Sequence, residues 1–397
     1  MGKKKVGNFT VGIDIRPLES STKNRGIGYY TSNLLSEMLR QKDPDYQFIL
    51  YKTLTGSTSS KLDLKDGDMF YGLPTLLRPR RGIRRFDPLM GPFWKKALKD
   101  TKPDLLHLTS FFEVYYLTMP QNIKTIVTLH DLIPMLFPKW CFDNELAKKW
   151  YISRLEKIKK CSKIITISNS AKEDIIKILR VPEDQVVVVY GGLDSRFKVI
   201  SKENIEKVLK KYKIQGRYLL SVGAPSRHKN MPRVFSAFKD YILQSGDSSL
   251  KLVVVCKLLP FEEEVWNKEK LKLGIKDNVV FTNFVSDQEM PAIYSGAEAL
   301  LFPSLYEGFG LPILEAMACG IPVITSNVSS MPEVAGAAAV YVNPESTEEI
   351  TKAIREVIEN KKLRGVLVKK GMEQAKKFTW EEAARKTLRV YKSVLES

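Results

Sequence analysis

The sequence has few of the residues that usually build metal sites and disulfides. Its 397 residues include three histidines and four cysteines, and no two cysteines form a C-x-x-C pair. Metal sites and disulfide frameworks normally use closely spaced ligands, so this composition disfavours both. We therefore expect no metal site, and four buried free thiols at Cys141, Cys161, Cys256 and Cys319.

Long apolar runs are also missing. No segment approaches the roughly 18 uninterrupted apolar residues of a membrane-spanning helix, and the opening MGKKKVGNFTVGID lacks the apolar stretch of a signal peptide. Hydrophobic residues make up 44% and charged residues 27% of the chain, which is typical of a folded soluble protein. We expect a cytoplasmic protein, long enough for two domains of less than about 200 residues each.

Negative charge is in short supply. The formal net charge of +18 indicates an anionic partner, which can be nucleic acid, an acidic membrane surface or a phosphorylated small molecule. Residues 76–99 carry eight basic side chains against the single acid Asp87, with Phe86, Phe93 and Trp94 among them. This composition is typical of a segment that lies on an anionic bilayer, and a solvated loop and helix edge is the alternative.

Short β-branched runs alternate with helical patterns along the whole chain. This alternation is typical of parallel sheets with crossover helices and predicts an α/β fold. The first series of predicted strands covers residues 11–15, 46–52, 104–110, 124–130, 163–168 and 185–192. A second series covers residues 217–224, 250–257, 278–285, 299–304 and 321–327. The restart places a domain break near residues 191–200 and predicts two doubly wound domains.

Helical patterns lie between the predicted strands. They include residues 28–41, 145–161 and 170–180, and a last one runs from Trp380 to Glu396. Ser170 and Glu173 have the spacing of a capping box. Two doubly wound domains that face each other leave a cleft at the carboxyl ends of their strands, where ligands of such sheets bind. The loops that follow strands are therefore the candidate functional loops.

The first such loop contains Gly26 and Gly28, after the strand at residues 11–15. Glycines allow close backbone approach, and the free amides of a helix start can hold a phosphate. A dinucleotide fingerprint G-x-G-x-x-G would need glycine where Thr31 stands, and an acid at the end of the next strand, which is absent. The pattern favours a phosphate contact over a plain turn and over NAD binding.

The loop at residues 221–230, SVGAPSRHKN, follows a strand and precedes a helix. Arg227 and Lys229 would present two cations, enough to neutralise most of the charge of a diphosphate without a metal. A solvated basic loop is the alternative. We interpret His228, between the two cations, as a bystander.

Residues 303–320, PSLYEGFGLPILEAMACG, place two glutamates eight positions apart. Gly308 and Gly310 predict a turn that contains Glu307, and a helix that begins near Pro312 would carry Glu315. One interpretation is that the carboxylates only complement the helix dipole. The apolar neighbours of Glu315 favour another, because a carboxylate in such surroundings needs hydrogen-bond donors. Ligand hydroxyls would supply them, so each glutamate would bind a diol.

These residues lie in blocks that resemble glycosyltransferase family 4, the retaining GT-B enzymes with an E-x7-E signature. The blocks are FVSDQEM at 284–290, IYSGAEALLFPSLYEGFGLP at 293–312 and ILEAMACGIPVIT at 313–325. GIDIRPL with RGIGYY, VTLHDLIPMLFP and SVGAPSRHKN also resemble members of the family, so the similarity covers nearly the whole chain. It implies two Rossmann-like domains that face each other across a cleft. Residues 1–195 with the helix 380–397 would bind the acceptor, and residues 196–379 the nucleotide sugar.

The resemblance also implies roles for single residues. Glu307 would contact the hydroxyls of the donor sugar, Glu315 the nucleotide ribose and Lys229 the diphosphate. Arg227 stands two positions before the lysine, whereas the common family position is adjacent. His130 would lie beside the donor sugar. The remaining residues that the resemblance places at the donor are Gly26 and Gly28 near the phosphates, Phe284 and Val285 at the base, and Gly308, Phe309, Gly310 and Leu311 in the turn.

The implied reaction transfers a hexose with α-linkage to a glycan or lipid-linked saccharide. Similarity of TLHDLIP and SRHKN to mannosyltransferases of the family favours mannose from GDP-mannose, while UDP-glucose, other UDP-sugars and deoxyhexose donors stay open. No cofactor or metal is expected, because Arg227, Lys229 and backbone amides can stabilise the departing phosphate. The two D-x-D triples, at Asp43–Asp45 and Asp66–Asp68, read as turns.

Other classes remain as alternatives. An epimerase or phosphorylase related to the GT-B transferases would use a similar cleft. A dehydrogenase would need the missing third glycine. A basic nucleic-acid-binding protein would explain the charge of +18 but would leave the paired glutamates without a role, so no nucleic-acid partner is expected.

Overall fold

A computed structural model describes residues 9–19, 26–41, 43–53, 69–73, 87–110 and 122–397. The chain divides into two compact units, one of Met1–Gly192 with Trp380–Ser397 and one of Leu193–Thr379. The sequence places the boundary at residue 195, and the structure has it between Gly192 and Leu193. Each unit is built around one parallel sheet.

The sheet of the first unit has seven strands in the described residues, in the order β3-β2-β1-β4-β5-β6-β7. All neighbouring strands are parallel. The central strands are apolar on both faces because helices cover both sides of a parallel sheet. The strands are β1 Phe9–Asp14, β2 Tyr46–Thr53, β3 Met69–Leu73, β4 Leu105–Leu108, β5 Lys124–Thr128, β6 Lys163–Thr166 and β7 Val186–Val188.

Six helices of the first unit precede the boundary in the described ranges. They are α1 Gly26–Gln41, α2 Asp87–Thr101, α3 Ile133–Leu136, α4 Pro138–Cys141, α5 Glu145–Ile158 and α6 Asn169–Leu179. The predicted capping box at Ser170 and Glu173 is wrong. Ser168 is the N-cap of α6, and its hydroxyl accepts from the amide of Ala171. The helix begins earlier than predicted because β6 ends at Thr166, two residues before the end of the predicted strand at 163–168.

The second unit has a six-stranded parallel sheet in the order β10-β9-β8-β11-β12-β13. Its strands are β8 Tyr218–Val222, β9 Lys251–Val255, β10 Val279–Phe281, β11 Ala299–Phe302, β12 Val323–Ser326 and β13 Ala339–Val342. Its helices are α7 Lys202–Lys211, α8 Met231–Ser245, α9 Pro260–Lys272, α10 Met290–Ser295, α11 Leu311–Ala318, α12 Met331–Ala335, α13 Thr347–Glu359 and α14 Lys361–Ala375.

The last helix, α15 Trp380–Glu396, belongs to the first unit. Its Tyr391 is fully buried, and the hydroxyl lies 2.5 Å from Nδ1 of His107 on β4. Nε2 of that histidine lies 2.8 Å from the hydroxyl of Thr128 on β5. Lys124 Nζ donates to the carbonyl of Val394 over 2.8 Å. The end of the chain is therefore attached to the sheet by buried polar contacts as well as by its apolar face.

Three expectations from the sequence can be compared with the structure: the cysteines, the D-x-D triples and the membrane-spanning helices. Cys161, Cys256 and Cys319 are buried free thiols as expected, but Cys141 is exposed because it ends the short surface helix α4. Asp43 forms the expected turn, since its carboxylate accepts from the amide of Asp45 over 3.0 Å; Asp66 and Asp68 lie outside the described residues. None of the described helices is long and apolar enough to cross a bilayer.

Candidate functional site

The strand order of the second unit reverses between β8 and β11. Strands β9 and β10 continue to one side of β8, and β12 and β13 to the other side of β11. In doubly wound sheets, ligands bind beyond the carboxyl ends of the strands at such a reversal. The loops after β8 and β11 contain Lys229 and Glu307, so the fold brings the two predicted residues to one point.

Lys229 and Glu307 form a direct ion pair at this point. Nζ of Lys229 donates to Oε1 over 2.8 Å and to Oε2 over 2.9 Å. The two side chains are only 16% and 10% exposed, and the ammonium also lies 4.9 Å from the ring centroid of Phe302. Charges this poorly hydrated depend on each other, because removal of one would leave the other buried without a partner.

The backbone around Lys229 is fixed by Gly223 and Asn230. A side chain at Gly223 would come within 3.2 Å of Lys229 Cδ, so the glycine provides the space for the lysine stem. Asn230 has a φ of 60° and precedes α8. Its buried amide donates to the carbonyls of Pro303, over 2.9 Å, and Pro344, over 2.6 Å. The loop after β8 is thereby attached to the loops after β11 and β13.

The backbone of Glu307 is held by two serines that follow β12. The amide of Glu307 donates to Ser329 Oγ over 3.2 Å, and that hydroxyl donates to the carbonyl of Glu307 over 2.6 Å. Ser330 Oγ lies 2.9 Å from the same carbonyl and 2.7 Å from that of Phe309. The turn that carries Glu307 is therefore rigid before any ligand binds.

Glu315 lies in α11, which begins immediately after Gly310. The φ of Gly310 is 110°, a conformation that favours glycine. The hydroxyl of Tyr294 on α10 donates to Oε2 of Glu315 over 2.6 Å. Burial raises the pKa of Glu315 to about 7, and the bond from Tyr294 opposes that rise. Burial and the bond from Tyr294 therefore act in opposite directions on the ionisation of this carboxyl group.

Three more charged groups surround Glu315. Arg196 binds Asp194 through two hydrogen bonds, of 2.9 and 2.8 Å, and lies 3.7 Å from Asp287. Asp194 and Asp287 raise the pKa of Glu315, whereas Arg196 lowers it. Burial disfavours ionisation of Asp194, but the hydrogen bonds from Arg196 outweigh it and lower its pKa.

The other predicted residues of the second unit take different positions. Arg227 lies in the same short turn as Lys229, but its side chain is exposed whereas that of Lys229 is largely buried. Phe284 is 60% exposed in the loop after β10, while the adjacent Val285 is buried. Phe309 is buried, with its ring 5.7 Å from that of Phe378. Gly308 lies in the buried turn before α11, and Leu311 is the first residue of that helix.

In the first unit, α1 begins at Gly26, whereas the pattern predicts a start at Gly28. Gly26 is exposed in the first turn and Gly28 is buried. The strand order reverses between β1 and β4, and α1 follows β1. The first-turn amides of α1 therefore lie at the corresponding reversal of this sheet.

His130 follows β5 and is almost completely buried. Its ring packs edge-on against Tyr30 of α1, with centroids 5.2 Å apart. Nε2 has no hydrogen-bond partner among the described residues, and burial lowers the pKa of the ring to about 4. Burial therefore favours the neutral form of the ring, and within the described residues Nε2 is an unpaired polar atom enclosed by the first unit.

Sequence reasoning assigned no role to Tyr294, Asn230, Ser329 or Ser330. Tyr294 and Asn230 lie inside the quoted blocks, and the two serines follow the predicted strand at 321–327. For Asn230 and the two serines, the position in a loop after a strand was a usable signal, whereas Tyr294 lies in a helix. Their partners depend on strand order and helix packing, which the sequence pattern does not give.

Two family models match this chain. The model described as "Glycosyltransferase Family 4" matches residues 24–197, and the one described as "Glycosyl transferases group 1" matches residues 201–374. Each falls almost entirely within one of the two units. Together they cover most of the chain.

Curated relatives include bacterial mannosyltransferases. The serotype-specific mannosyltransferase WbdA of Escherichia coli is 28% identical over 404 residues, which covers 97% of this chain and 48% of WbdA. The chain thus spans about half the length of that relative. The O-antigen chain mannosyltransferase B of Escherichia coli is 29% identical, with 75% of this chain and 76% of that protein covered. RfbU of Salmonella typhimurium, an O-antigen chain mannosyltransferase, is 31% identical over 60% of this chain and 62% of its own.

Solved structures confirm the predicted fold. A sucrose-phosphate synthase from Thermosynechococcus elongatus superposes with a TM-score of 0.78 at 18% identity, over 98% of this chain and 99% of that one. Anabaena HepE in complex with UDP-glucose gives a TM-score of 0.73 at 14% identity, over 97% and 100%. The GT-B fold, with two Rossmann-like parallel-sheet units, is shared with these proteins. The two family models, which match residues 24–197 and 201–374, show that the chain belongs to glycosyltransferase family 4.

Proposed function

We propose that the protein transfers mannose from GDP-mannose to a glycan or lipid-linked saccharide, with retention of the α configuration. The observation that carries the proposal is the buried Lys229–Glu307 pair at the strand reversal of the second unit. It offers a cation to a diphosphate and a carboxylate to sugar hydroxyls. The names of the relatives, WbdA, RfbU and mannosyltransferase B, support mannose as the sugar.

The proposed chemistry depends on charge that develops at the leaving group. As the bond between the anomeric carbon and the diphosphate breaks, negative charge grows on the phosphate and positive charge on the sugar. Lys229 would leave Glu307 for the diphosphate, with Arg227 as a second cation, and Glu307 would then accept hydrogen bonds from the sugar. The role of His130 stays a prediction, because its Nε2 is buried and has no hydrogen-bond partner among the described residues.

Retention follows if the acceptor attacks from the face that the leaving group vacates. The acceptor oxygen bonds to the anomeric carbon, the bond to the diphosphate breaks, and the acceptor proton passes to the departing phosphate. This route requires no protein nucleophile. We also propose that the reaction requires no metal, because Lys229 and Arg227 supply the positive charge. Transfer should then persist in excess EDTA. A loss of activity in EDTA that Mg²⁺ or Mn²⁺ restores would contradict this proposal.

The test is transfer by the purified protein from a panel of nucleotide sugars to saccharide acceptors, with the anomeric configuration read by NMR. GDP-mannose should give an α-linked product. Transfer from a UDP-sugar or a deoxyhexose donor instead would correct the donor and keep the enzyme class. Epimerisation or phosphorolysis without transfer would refute the proposal.

Substitutions at the pair make the test specific. Glu307→Gln and Lys229→Ala should each lower kcat/KM by at least about a hundredfold. Lys268→Ala is the matched control, because it breaks an ion pair with Glu264 that is exposed on α9 of the same unit. Full activity in Glu307→Gln with an intact fold would refute the site assignment.

The acceptor class suggests a second part of the proposal, a cytoplasmic protein that binds peripherally to an anionic membrane through residues 76–99. Residues 76–86, with five of the arginines, lie outside the described part of the chain. In α2, Lys95, Lys96 and Lys99 are exposed, and Phe93 is 42% exposed while Trp94 is buried. This arrangement gives a basic surface with one apolar side chain available for insertion.

Vesicle binding tests the membrane proposal. Reversing the three α2 lysines to glutamate should abolish binding to vesicles that contain phosphatidylglycerol and leave the activity on a soluble acceptor unchanged. The matched control reverses three exposed lysines of α14, Lys361, Lys369 and Lys370. Equal binding by the two variants would refute the proposal.

A further inference from the structure

Tyr294 is a buried side chain whose hydroxyl contacts the carboxylate of Glu315. It lies on α10, is fully buried and donates its hydroxyl proton to Oε2 over 2.6 Å. Its ring packs edge-on against Phe197, with centroids 5.7 Å apart. A buried ring has little freedom, so the position of the hydroxyl is fixed by packing.

This bond determines which part of Glu315 is available to a ligand. A carboxylate accepts through two oxygens, and Tyr294 occupies Oε2. The bond also fixes the rotation of the carboxylate about its last torsion, which is otherwise broad. The position of Oε1 is therefore fixed as well, and this oxygen can accept a hydrogen bond from a ligand hydroxyl.

Charge reinforces the same arrangement. The groups that face Glu315 are Tyr294 of α10, Asp194 and Arg196 before α7, Asp287 before α10 and Cys319 at the end of α11. Burial opposes ionisation of Glu315 most strongly, and the carboxylates of Asp194 and Asp287 add to it. The hydroxyl of Tyr294 and the guanidinium of Arg196 are the groups that favour it. Ligand hydroxyls bind best to the charged carboxylate, which is the stronger acceptor.

We propose that Tyr294 is a positioning residue that holds the carboxylate of Glu315 charged and oriented toward the ribose hydroxyls of the donor nucleotide. The proposal deepens the function proposed above and rests on it. Tyr294 itself touches no ligand and acts through Glu315.

The test is isothermal titration of GDP into the whole protein across pH. Tyr294→Phe removes one hydroxyl and keeps the ring, and it should weaken binding roughly tenfold at about pH 7. The lost bond favours the charged form of Glu315, so the substitution should raise the pKa of that carboxyl group. The affinity for GDP increases as Glu315 ionises, and the pH midpoint of this increase should therefore move up by about one unit. At high pH the variant should recover part of the lost affinity.

Tyr218→Phe is the matched control. Tyr218 is equally buried, lies in the same unit and donates its hydroxyl to the carbonyl of Ile293 over 2.7 Å, so the substitution removes a similar buried bond next to Tyr294. It should change the unfolding temperature but not the pH midpoint of GDP binding. Equal midpoints for Tyr294→Phe and wild type would overturn the proposal, even if both substitutions lower stability.

Two further measurements keep the test independent of folding. In a Glu315→Ala background, which has no acceptor for the Tyr294 hydroxyl, Tyr294→Phe should have no further effect on GDP affinity, and an additional loss would overturn a role through Glu315. Replacement of Tyr294 by 3-fluorotyrosine makes the hydroxyl a stronger donor with the ring retained, and should move the midpoint down; an unmoved midpoint counts against the proposal. Failure of the wild-type protein to bind any nucleotide would instead refute the proposed function, so the two failures are distinguishable.

Discussion

Replacement of Glu315 by glutamine should stabilise the ligand-free protein, and more so at high pH. Glutamine keeps the size of the side chain and can still accept from Tyr294, but it never becomes charged. Burial raises the pKa of Glu315 from its ordinary value of 4.5 to about 7. The structure therefore contains a carboxyl group whose ionisation opposes folding.

The direction of the effect follows from protons bound in the two states. The unfolded chain releases the proton of Glu315 above about pH 4.5, and the folded protein keeps it up to about pH 7. Stability of the wild type therefore falls as pH rises through this window, while below it the cost is absent and above it the full cost is present. The full cost is about 3 kcal/mol, from 1.36 kcal/mol per pKa unit.

Between about pH 5 and about pH 8, the stability difference between Glu315→Gln and wild type should grow by roughly 2 to 3 kcal/mol. For a unit of residues 193–379 this is a rise in Tm of about 5 to 10 °C. Differential scanning calorimetry of both proteins across pH measures it, and the comparison cancels the titration of all other groups. A stability difference that does not change with pH would refute the argument. The same substitution should weaken GDP binding, so stability and binding should move in opposite directions.

Three other substitutions test the contacts that fix two loops of the second unit and the last helix of the first unit. Asn230→Ala removes the donor to the carbonyls of Pro303 and Pro344 and should lower the free energy of unfolding, measured in urea, by about 2 to 4 kcal/mol. A decrease below about 0.5 kcal/mol would show that the carbonyls find other partners. Gly310→Ala should cost about 1 to 2 kcal/mol, because alanine is strained at a φ of 110°, and an unchanged thermal midpoint would contradict this. Tyr391→Phe removes the contact with His107 and should increase hydrogen exchange in α15 by about tenfold; unchanged exchange would show that the apolar face alone holds the helix.

The fold was predictable where apolar runs are continuous. The predicted strands include all the central strands of both sheets, which are apolar on both faces. The strands without a prediction are β3, MFYGL, and β13, AVYV. Both are short edge strands with partly exposed residues, so their sequences lack the continuous apolar run that marks a strand buried on both faces.

The candidate site was predictable as a set of loops but not as a set of contacts. Lys229 and Glu307 lie 78 positions apart, and their ion pair exists because β8 and β11 are neighbours. Strand order is set by the packing of the whole unit, and local pattern carries no signal for it. The bond between Tyr294 and Glu315 likewise depends on how α10 packs beside α11. The roles of the predicted donor-site residues stay predictions until ligand binding is measured.

The ion pair between Lys229 and Glu307 has a consequence for which anions can enter the site. A small ion such as free phosphate would attract the ammonium, but it would also strip Glu307 of its counter-charge and then repel it at close range. A nucleotide sugar brings negative charge for the lysine and hydroxyl donors for the glutamate within one molecule. Glu307 thus competes with any incoming anion for the ammonium of Lys229, and only a ligand that satisfies both side chains at once can break the pair without loss.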